Sequence, residues 1–294
     1  MDNYEGGTTM KDYFGFKDKV CVVTGGASGI GKAVTEILVE LGAVVYAMDI
    51  NEVKVPGIKN FVKVSLGEKE SIDAAFKALP GKLDCFFGVA GVSGHKTDAN
   101  VTMAINFFAN KYMVEEYVVD RIQESGTIGF VSSGSGASWW QEETKEEYIS
   151  LIKPKGWEAT YQAWLDLKAS NTLGKEAYFV SKRALNYYTI YMGKQLASKK
   201  IRINAVLPGP SDTGLAPEFA SAFGGDTKML GQAATGGAKR LAQPIEVAMP
   251  LIFLSSDMAS YISAALLPVD FGMTNEFWSK LVIDWFAGRK LVIQ

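Results

Sequence analysis

Short apolar runs rich in β-branched residues alternate with longer helix-like stretches along most of this chain, and that alternation constrains the fold more than any single motif. Residues 19–24, 43–49, 60–64, 83–89, 127–132, 201–207 and 265–269 read as strands. Between them, residues 29–41, 69–79, 98–122 and 176–198 read as helices, and a further helix opens near Pro244. Strict strand–helix alternation implies right-handed crossovers and a parallel sheet covered on both faces. The strands are continuously apolar rather than alternating, as a doubly covered sheet requires. The expected architecture is an α/β fold, one domain spanning residues 1–294 with a doubly wound seven-stranded parallel sheet.

Three segments break the rhythm. Residues 138–172 carry Trp139, Trp140, Trp157, Tyr161 and Trp164 among charged residues, a pattern for one or two amphipathic helices inserted after the fifth strand. Residues 274–294 form a second amphipathic extension with Trp278, Trp285 and Phe286. In both, packing against the body or a partner subunit is the expected role of the aromatics. Residues 214–240 are rich in Gly, Ala, Thr and Phe and read as a flap of short helices. Phe219, Phe223, Met229 and Leu230 give it either an apolar inner face for a substrate or ordinary helix packing, and the sequence leaves both open.

Composition excludes several function classes. A net charge of −2 provides no basic field for nucleic acid or an anionic membrane. No apolar run is long enough to span a bilayer. Residues 1–18 lack a basic stretch followed by an apolar core, so no secretory leader is expected and the cytoplasm is the default compartment. Cys21 and Cys85, the only cysteines, sit in strand-like runs and read as small buried hydrophobes. His95, the single histidine, leaves no multi-histidine metal site, so no metal is expected; it reads as a surface loop residue near the pocket mouth.

The first strand runs into Thr24-Gly25-Gly26-Ala27-Ser28-Gly29-Ile30-Gly31 and then a helix. Glycines allow a tight turn and close approach of backbone to a pyrophosphate, and the helix N-terminus offers free N–H groups to the anion. The second strand ends at Asp49, 18 residues beyond Gly31. A carboxylate there accepts hydrogen bonds from both adenosine ribose hydroxyls and repels a 2′-phosphate. Ser28 offers no positive charge to that phosphate. Both features point to NAD rather than NADP.

Tyr178 and Lys182 lie four apart in a helical stretch and so share a face. A free phenol has a pKa near ~10, and a neighbouring ammonium together with an oxidised nicotinamide favours phenolate. Tyr178 is then placed to exchange a proton with an alcohol or ketone oxygen. Ser132-Ser133-Gly134 ends the fifth strand, where a hydroxyl can bond a substrate oxygen. Asn106 is an amide inside an apolar helix, either a satisfied core group or a link in a water-mediated proton path.

Taken together, Thr24 to Gly31, Asp49, Ala90-Gly91, Asn106, Ser133, Tyr178-x-x-x-Lys182 and Pro208-Gly209 followed by Thr213 resemble, in order, the short-chain dehydrogenase/reductase family over residues 19–272. The resemblance implies a Rossmann-type fold and a catalytic tetrad of Asn106, Ser133, Tyr178 and Lys182, with Ser133 chosen because Gly136 follows three residues later. It implies a cofactor site of Gly25, Ser28, Gly29, Ile30, Gly31, Asp49, Ile50, Leu66, Ala90, Gly91, Tyr178, Lys182, Pro208, Gly209, Ser211 and Thr213. Two positions depart from the pattern: Val89 replaces an Asn that steadies the central strands, and Ser65 replaces an Asp near adenine. The 44 residues between Ser133 and Tyr178 resemble the insertion of the bacterial 3α-hydroxysteroid dehydrogenase/carbonyl reductase branch. That branch implies a hydroxysteroid, bile-acid or isoflavonoid-like ketone or alcohol as substrate. A homodimer or homotetramer is expected, with the inserted helices blocking the usual four-helix contact beside the Tyr178 helix and an alternative interface in its place.

Overall fold

The computed structural model describes residues 12–137, 145–170, 176–221, 224–234 and 238–274. Residues 1–11, Trp139, Trp140, Phe223, Trp278, Trp285 and Phe286 lie outside the described residues. Seven strands, β1 (Val20–Thr24), β2 (Val44–Asp49), β3 (Asn60–Lys63), β4 (Leu83–Gly88), β5 (Ile122–Val131), β6 (Arg202–Pro208) and β7 (Leu266–Val269), pair in the order β3-β2-β1-β4-β5-β6-β7. Every pairing is parallel. The chain moves outward from β1 through β2 to β3, then crosses to β4 on the other side of β1. The strand order therefore reverses between β1 and β4, which opens a crevice at the carboxyl ends of those strands.

Successive residues of each strand feed opposite faces. Val22, Phe86, Ile128 and Phe130 pack into one core; Cys21, Val23, Cys85, Phe87, Val131 and Val206 pack into the other. That two-sided burial is why the strands carry no polar alternation. The second core is closed by α1 (Gly29–Glu40) and by a helix spanning Pro244–Ser255, which begins with Pro244 in its first turn and a reciprocal cap between Gln243 and Glu246. The first is closed by α2 (Lys69–Lys77), a long helical run called α3, and α6 (Ala177–Leu196).

The run α3 departs from a uniform helix. Ala99–Met103, Ala109–Met113 and Val119–Arg121 are α-helical, while Ala104–Phe108 and Val114–Val118 adopt the wider π form. Asp98 starts it by accepting from the Asn100 and Val101 N–H groups at 2.7 and 3.1 Å. The run passes into β5 at Ile122, five residues before the strand start expected from sequence. Ile122 is buried and pairs with Leu83, after which the register jumps to Thr127 opposite Cys85. Residues 123–126 form the irregularity, with Ser125 at φ 65°. Hydrophobic burial of Ile122 thus extends β5 across a segment whose Ser and Gly read as a loop.

The insertion contains α4 (Lys145–Ile152) and α5 (Trp157–Ser170), and its aromatics face the body as expected. Trp157 meets Phe108 and Tyr112 edge-on at 6.1 and 5.9 Å, Tyr161 meets Phe108 at 6.0 Å, and the Trp164 indole donates to Asn100 at 3.0 Å. Tyr148 stacks on Tyr187 of α6 at 5.1 Å. Lys111, fully buried in α3, donates to the Pro154 carbonyl and pairs with Glu115 at 2.6 Å. Two short helices, α7 (Ala216–Ala220) and α8 (Thr227–Ala234), follow β6. The helix spanning Pro244–Ser255 is α9. No described helix is long and apolar enough to cross a membrane.

Candidate active site

A cavity of about 580 Å³ opens at the carboxyl ends of β1, β2, β4, β5 and β6. The glycine turn forms its floor. Gly25 sits at φ 75°, and a Cβ there would lie 2.9 Å from the Ala90 Cα. At Gly31 a Cβ would lie 2.0 Å from the Gly25 carbonyl oxygen, so only glycine lets α1 start this close to the turn. Ser28 caps α1 without spending its side chain on the helix, and the first turn holds no acidic residue. The orphan N–H groups of that turn therefore keep a positive end toward the cavity.

Asp49 ends β2 on the cavity wall. Its two oxygens accept from the Ala27 and Asn51 N–H groups at 3.0 and 2.9 Å, which fixes the carboxylate and leaves lone pairs directed elsewhere. Asp49 and Lys182 are the only charged residues among those lining the cavity. Ile50, Ser65, Leu66, Ala90 and Gly91 line the same end. The Thr24 hydroxyl receives the Val89 and Ala90 N–H groups at 3.0 and 3.2 Å and points its own proton at the Phe87 carbonyl, tying β1 to β4.

At the other end lie Ser133, Tyr178, Lys182, Pro208, Gly209, Ser211 and Thr213. Tyr178 and Lys182 project from one face of α6, with the Lys182 Nζ 5.8 Å from the phenol ring centre. Ser133 hydrogen-bonds the Tyr178 side chain and receives the Ser135 N–H at 3.1 Å. Ser132 points away, donating to the Lys182 carbonyl at 3.1 Å. The two serines are thus separated in role by the pleat of the strand end, and Ser133 is the one that meets the phenol. Lys182 donates to the Val131 carbonyl at 3.1 Å.

Burial dominates the electrostatics of this pair within the protein's own atoms. Burial raises Tyr178 above its ordinary range, and the Ser133 hydrogen bond only partly opposes that shift. Burial also pushes Lys182 down to about 8. Desolvation penalises both charged forms. Within the protein's own field Tyr178 is therefore a protonated acid.

Asn106 is not part of the cavity wall. Its side chain is fully buried in the π turn, accepts the Val92 N–H at 2.8 Å, and donates to the Val92 carbonyl and Ser181 hydroxyl at 3.0 and 3.2 Å. Ser181 in turn donates to the Tyr178 carbonyl at 2.7 Å. These bonds brace the β4–α3 loop against α6, and the Asn106 amide and the Lys182 ammonium both lie close to Gly91, where an added Cβ would be 3.1 and 3.5 Å from them.

Thr24 was read as the start of the glycine loop, whereas Ser181, Val92, Leu215 and Met273 were not singled out in the sequence. Thr24 carried a signal, a hydroxyl at a strand end beside the glycines; the others are set by chain pairs far apart in sequence. Phe219 and Leu230 of the flap line the cavity, whereas Met229 is exposed. His95 is exposed at the mouth, its ring 5.9 Å from Phe219.

The glycine cradle, the fixed carboxylate and the unshared helix start together fit a dinucleotide. Gly25 to Gly31 would hold the pyrophosphate, Asp49 the adenosine ribose, Lys182 the second ribose and Pro208 to Thr213 the nicotinamide.

Comparison with known proteins agrees. Residues 19–144 match the family model described as short chain dehydrogenase, and residues 167–274 match the one described as enoyl-(acyl carrier protein) reductase. A coniferyl-alcohol dehydrogenase of a Pseudomonas species is 31% identical over 264 residues, covering 88% of this chain and 98% of that protein. An NAD-dependent glycerol dehydrogenase of Listeria innocua is 30% identical over 279 residues, covering 89% and 96%. A landomycin C-6 ketoreductase crystallised with NADP and rabelomycin shares the fold, with a TM-score of 0.63, 22% identity, and coverage of 88% and 98%.

Proposed function

The chain belongs to the short-chain dehydrogenase/reductase family, and from that premise we propose that it interconverts a secondary alcohol and a ketone with NAD(H), on an apolar, ring-bearing substrate of the hydroxysteroid or bile-acid kind. The observation that carries this reading is one continuous cavity with Asp49 at one end and the Ser133–Tyr178–Lys182 group at the other.

When bound, the nicotinamide supplies the two-electron transfer with the substrate carbon. The chain's residues handle the oxygen and its proton. The Tyr178 phenol, held protonated by burial, donates to the substrate oxygen during ketone reduction and recovers a proton in the reverse direction. The Ser133 hydroxyl, fixed by the Ser135 N–H, shares that oxygen and stabilises its developing charge. Lys182 carries three donors, one of which Val131 takes, and the others serve the ribose. The low count of charges in the cavity favours NAD, because a 2′-phosphate would meet Asp49 and no compensating cation. The name of the Listeria relative supports the same preference, while the NADP-bound ketoreductase shows that the fold accepts both.

Val92, Leu215, Phe219, Leu230 and Met273 make the substrate end apolar, as a steroid or bile acid requires. A second reading is an aryl or phenylpropanoid alcohol. It is favoured by the Pseudomonas relative's name and by the Phe219 ring, edge-on to Tyr178 at 5.2 Å.

NADH oxidation with a panel of 3-ketosteroids, cyclic ketones and cinnamyl aldehydes tests these readings. Tyr178→Phe is expected to lower kcat by about 10²–10⁴ while NADH still binds. Turnover equal to the parent's would remove Tyr178 from the mechanism.

A further inference from the structure

One carboxylate beside the substrate end has no place in the chemistry above. Glu218 lies on α7, and its side chain is only 13% exposed. One of its oxygens accepts from the Ser93 hydroxyl and the other pairs with Lys96 at 2.9 Å. Ser93 is itself buried, and its oxygen also receives the His95 N–H at 3.1 Å. All three partners belong to the loop between β4 and α3. That loop also abuts the proposed proton donor, because a Cβ on Gly94 would lie 3.6 Å from the Tyr178 Cβ.

The neighbour of Glu218 gives the contact its meaning. Phe219 is held between the His95 ring, at 5.9 Å, and the Tyr178 ring, at 5.2 Å. A carboxylate this covered needs its hydrogen-bond partners, and Ser93 and Lys96 are on the opposite side of the cavity mouth from α7. The ion pair and the hydrogen bond therefore fasten two segments that the sheet does not otherwise join, more than 100 residues apart in the chain.

We propose that Glu218 is a positioning residue, a latch that holds α7 against the Ser93–Lys96 loop so that Phe219 forms the substrate-binding wall beside Tyr178. The latch acts on substrate affinity more than on the dinucleotide, whose pyrophosphate and adenosine contacts lie across the cavity at Gly25 to Gly31 and Asp49. This rests on the proton-transfer reading of Tyr178 only for the word substrate. The contact between flap and loop is independent of it.

The test uses the full-length enzyme with Glu218→Gln, Lys96→Met, Ser93→Ala and the double variant Ser93→Ala/Glu218→Gln. Androstanedione and cyclohexanone serve as ketone probes, NADH affinity is read by fluorescence, and trypsin cleavage is followed at Lys228 and Lys239, both exposed in the flap. A charge-assisted hydrogen bond of the usual strength predicts a rise in KM and in cleavage rate of roughly tenfold for Glu218→Gln. Affinity for NADH and kcat should stay within about threefold, and the double variant should fall short of the sum of the single effects, because the Ser93–Glu218 contact is shared by both changes. A KM and a cleavage rate within about twofold of the parent, additive single effects, or a parallel loss of NADH affinity would each overturn the latch. If Tyr178→Phe turns over normally while Glu218→Gln still speeds cleavage, the proton donor is wrong and the latch stands. Should neither ketone be reduced, the cleavage rates alone decide.

Discussion

Replacing Asp49 by serine should redirect the coenzyme preference, and the size of the effect follows from the carboxylate's bonds. Two of its lone-pair sites are taken by the Ala27 and Asn51 N–H groups, leaving two for the ribose hydroxyls. A hydrogen bond to a charged acceptor contributes about 1.5–3 kcal/mol, and a serine hydroxyl retains about 1 kcal/mol of that. The variant should therefore bind NADH more weakly by about 1–2 kcal/mol, or about five- to thirtyfold. A 2′-phosphate close to Asp49 feels a repulsion of about 1 kcal/mol per unit charge in water and about 4 kcal/mol near a protein surface. Because Asp49 is half-exposed, the lower half of that range applies. NADPH use should rise accordingly, and the ratio of kcat/KM for NADH over NADPH should fall by about thirtyfold or more. Steady-state kinetics with both coenzymes and one ketone measure it. A ratio that moves by less than about threefold, or a parent enzyme that already prefers NADPH, would refute the reasoning.

Gly31→Ala places a methyl group 2.0 Å from the Gly25 carbonyl oxygen, with rigid backbone on both sides. It should cost about 1–3 kcal/mol of stability and weaken NADH binding by more than about tenfold, read by thermal melting and fluorescence titration. Parent-like binding would show that the turn can yield. Lys182→Met should abolish activity yet stabilise the fold at neutral pH. The folded-state pKa of Lys182 falls to about 8 from an ordinary 10.5, so at pH 7 burying the ammonium costs about 3 kcal/mol at most, partly offset by its bond to Val131. Between pH 8 and 10.5 the unfolded chain binds the extra proton, so the parent's relative stability rises with pH and the variant's advantage fades toward the upper limit. Melting curves for both proteins across that window check the sign, and a variant less stable than the parent at pH 7 refutes it.

The sequence by itself determined the sheet, the glycine turn and the shared helix face of Tyr178 and Lys182. Those features rest on local chemistry: strands apolar on both faces, glycines where a Cβ meets backbone, and a Tyr and Lys one helical turn apart. The boundaries that slipped, such as β5 beginning at Ile122, depended on a partner strand about forty residues away. The π turn at Asn106 is equally hidden, because Ala104 to Phe108 has the composition of an ordinary buried helix. Only the fold brings the Val92 backbone and Ser181 to the Asn106 amide. Only the fold sets the charge states of Tyr178 and Lys182. Spacing places them on one face, but burial depends on everything packed around α6, and it raises the phenol and lowers the ammonium. The flap was legible as a composition, yet whether Phe219 lines the cavity or merely packs was left open. The fold places Phe219 on the cavity wall, because pairings between distant loops are fixed by where the strands end in space, and no local pattern encodes that.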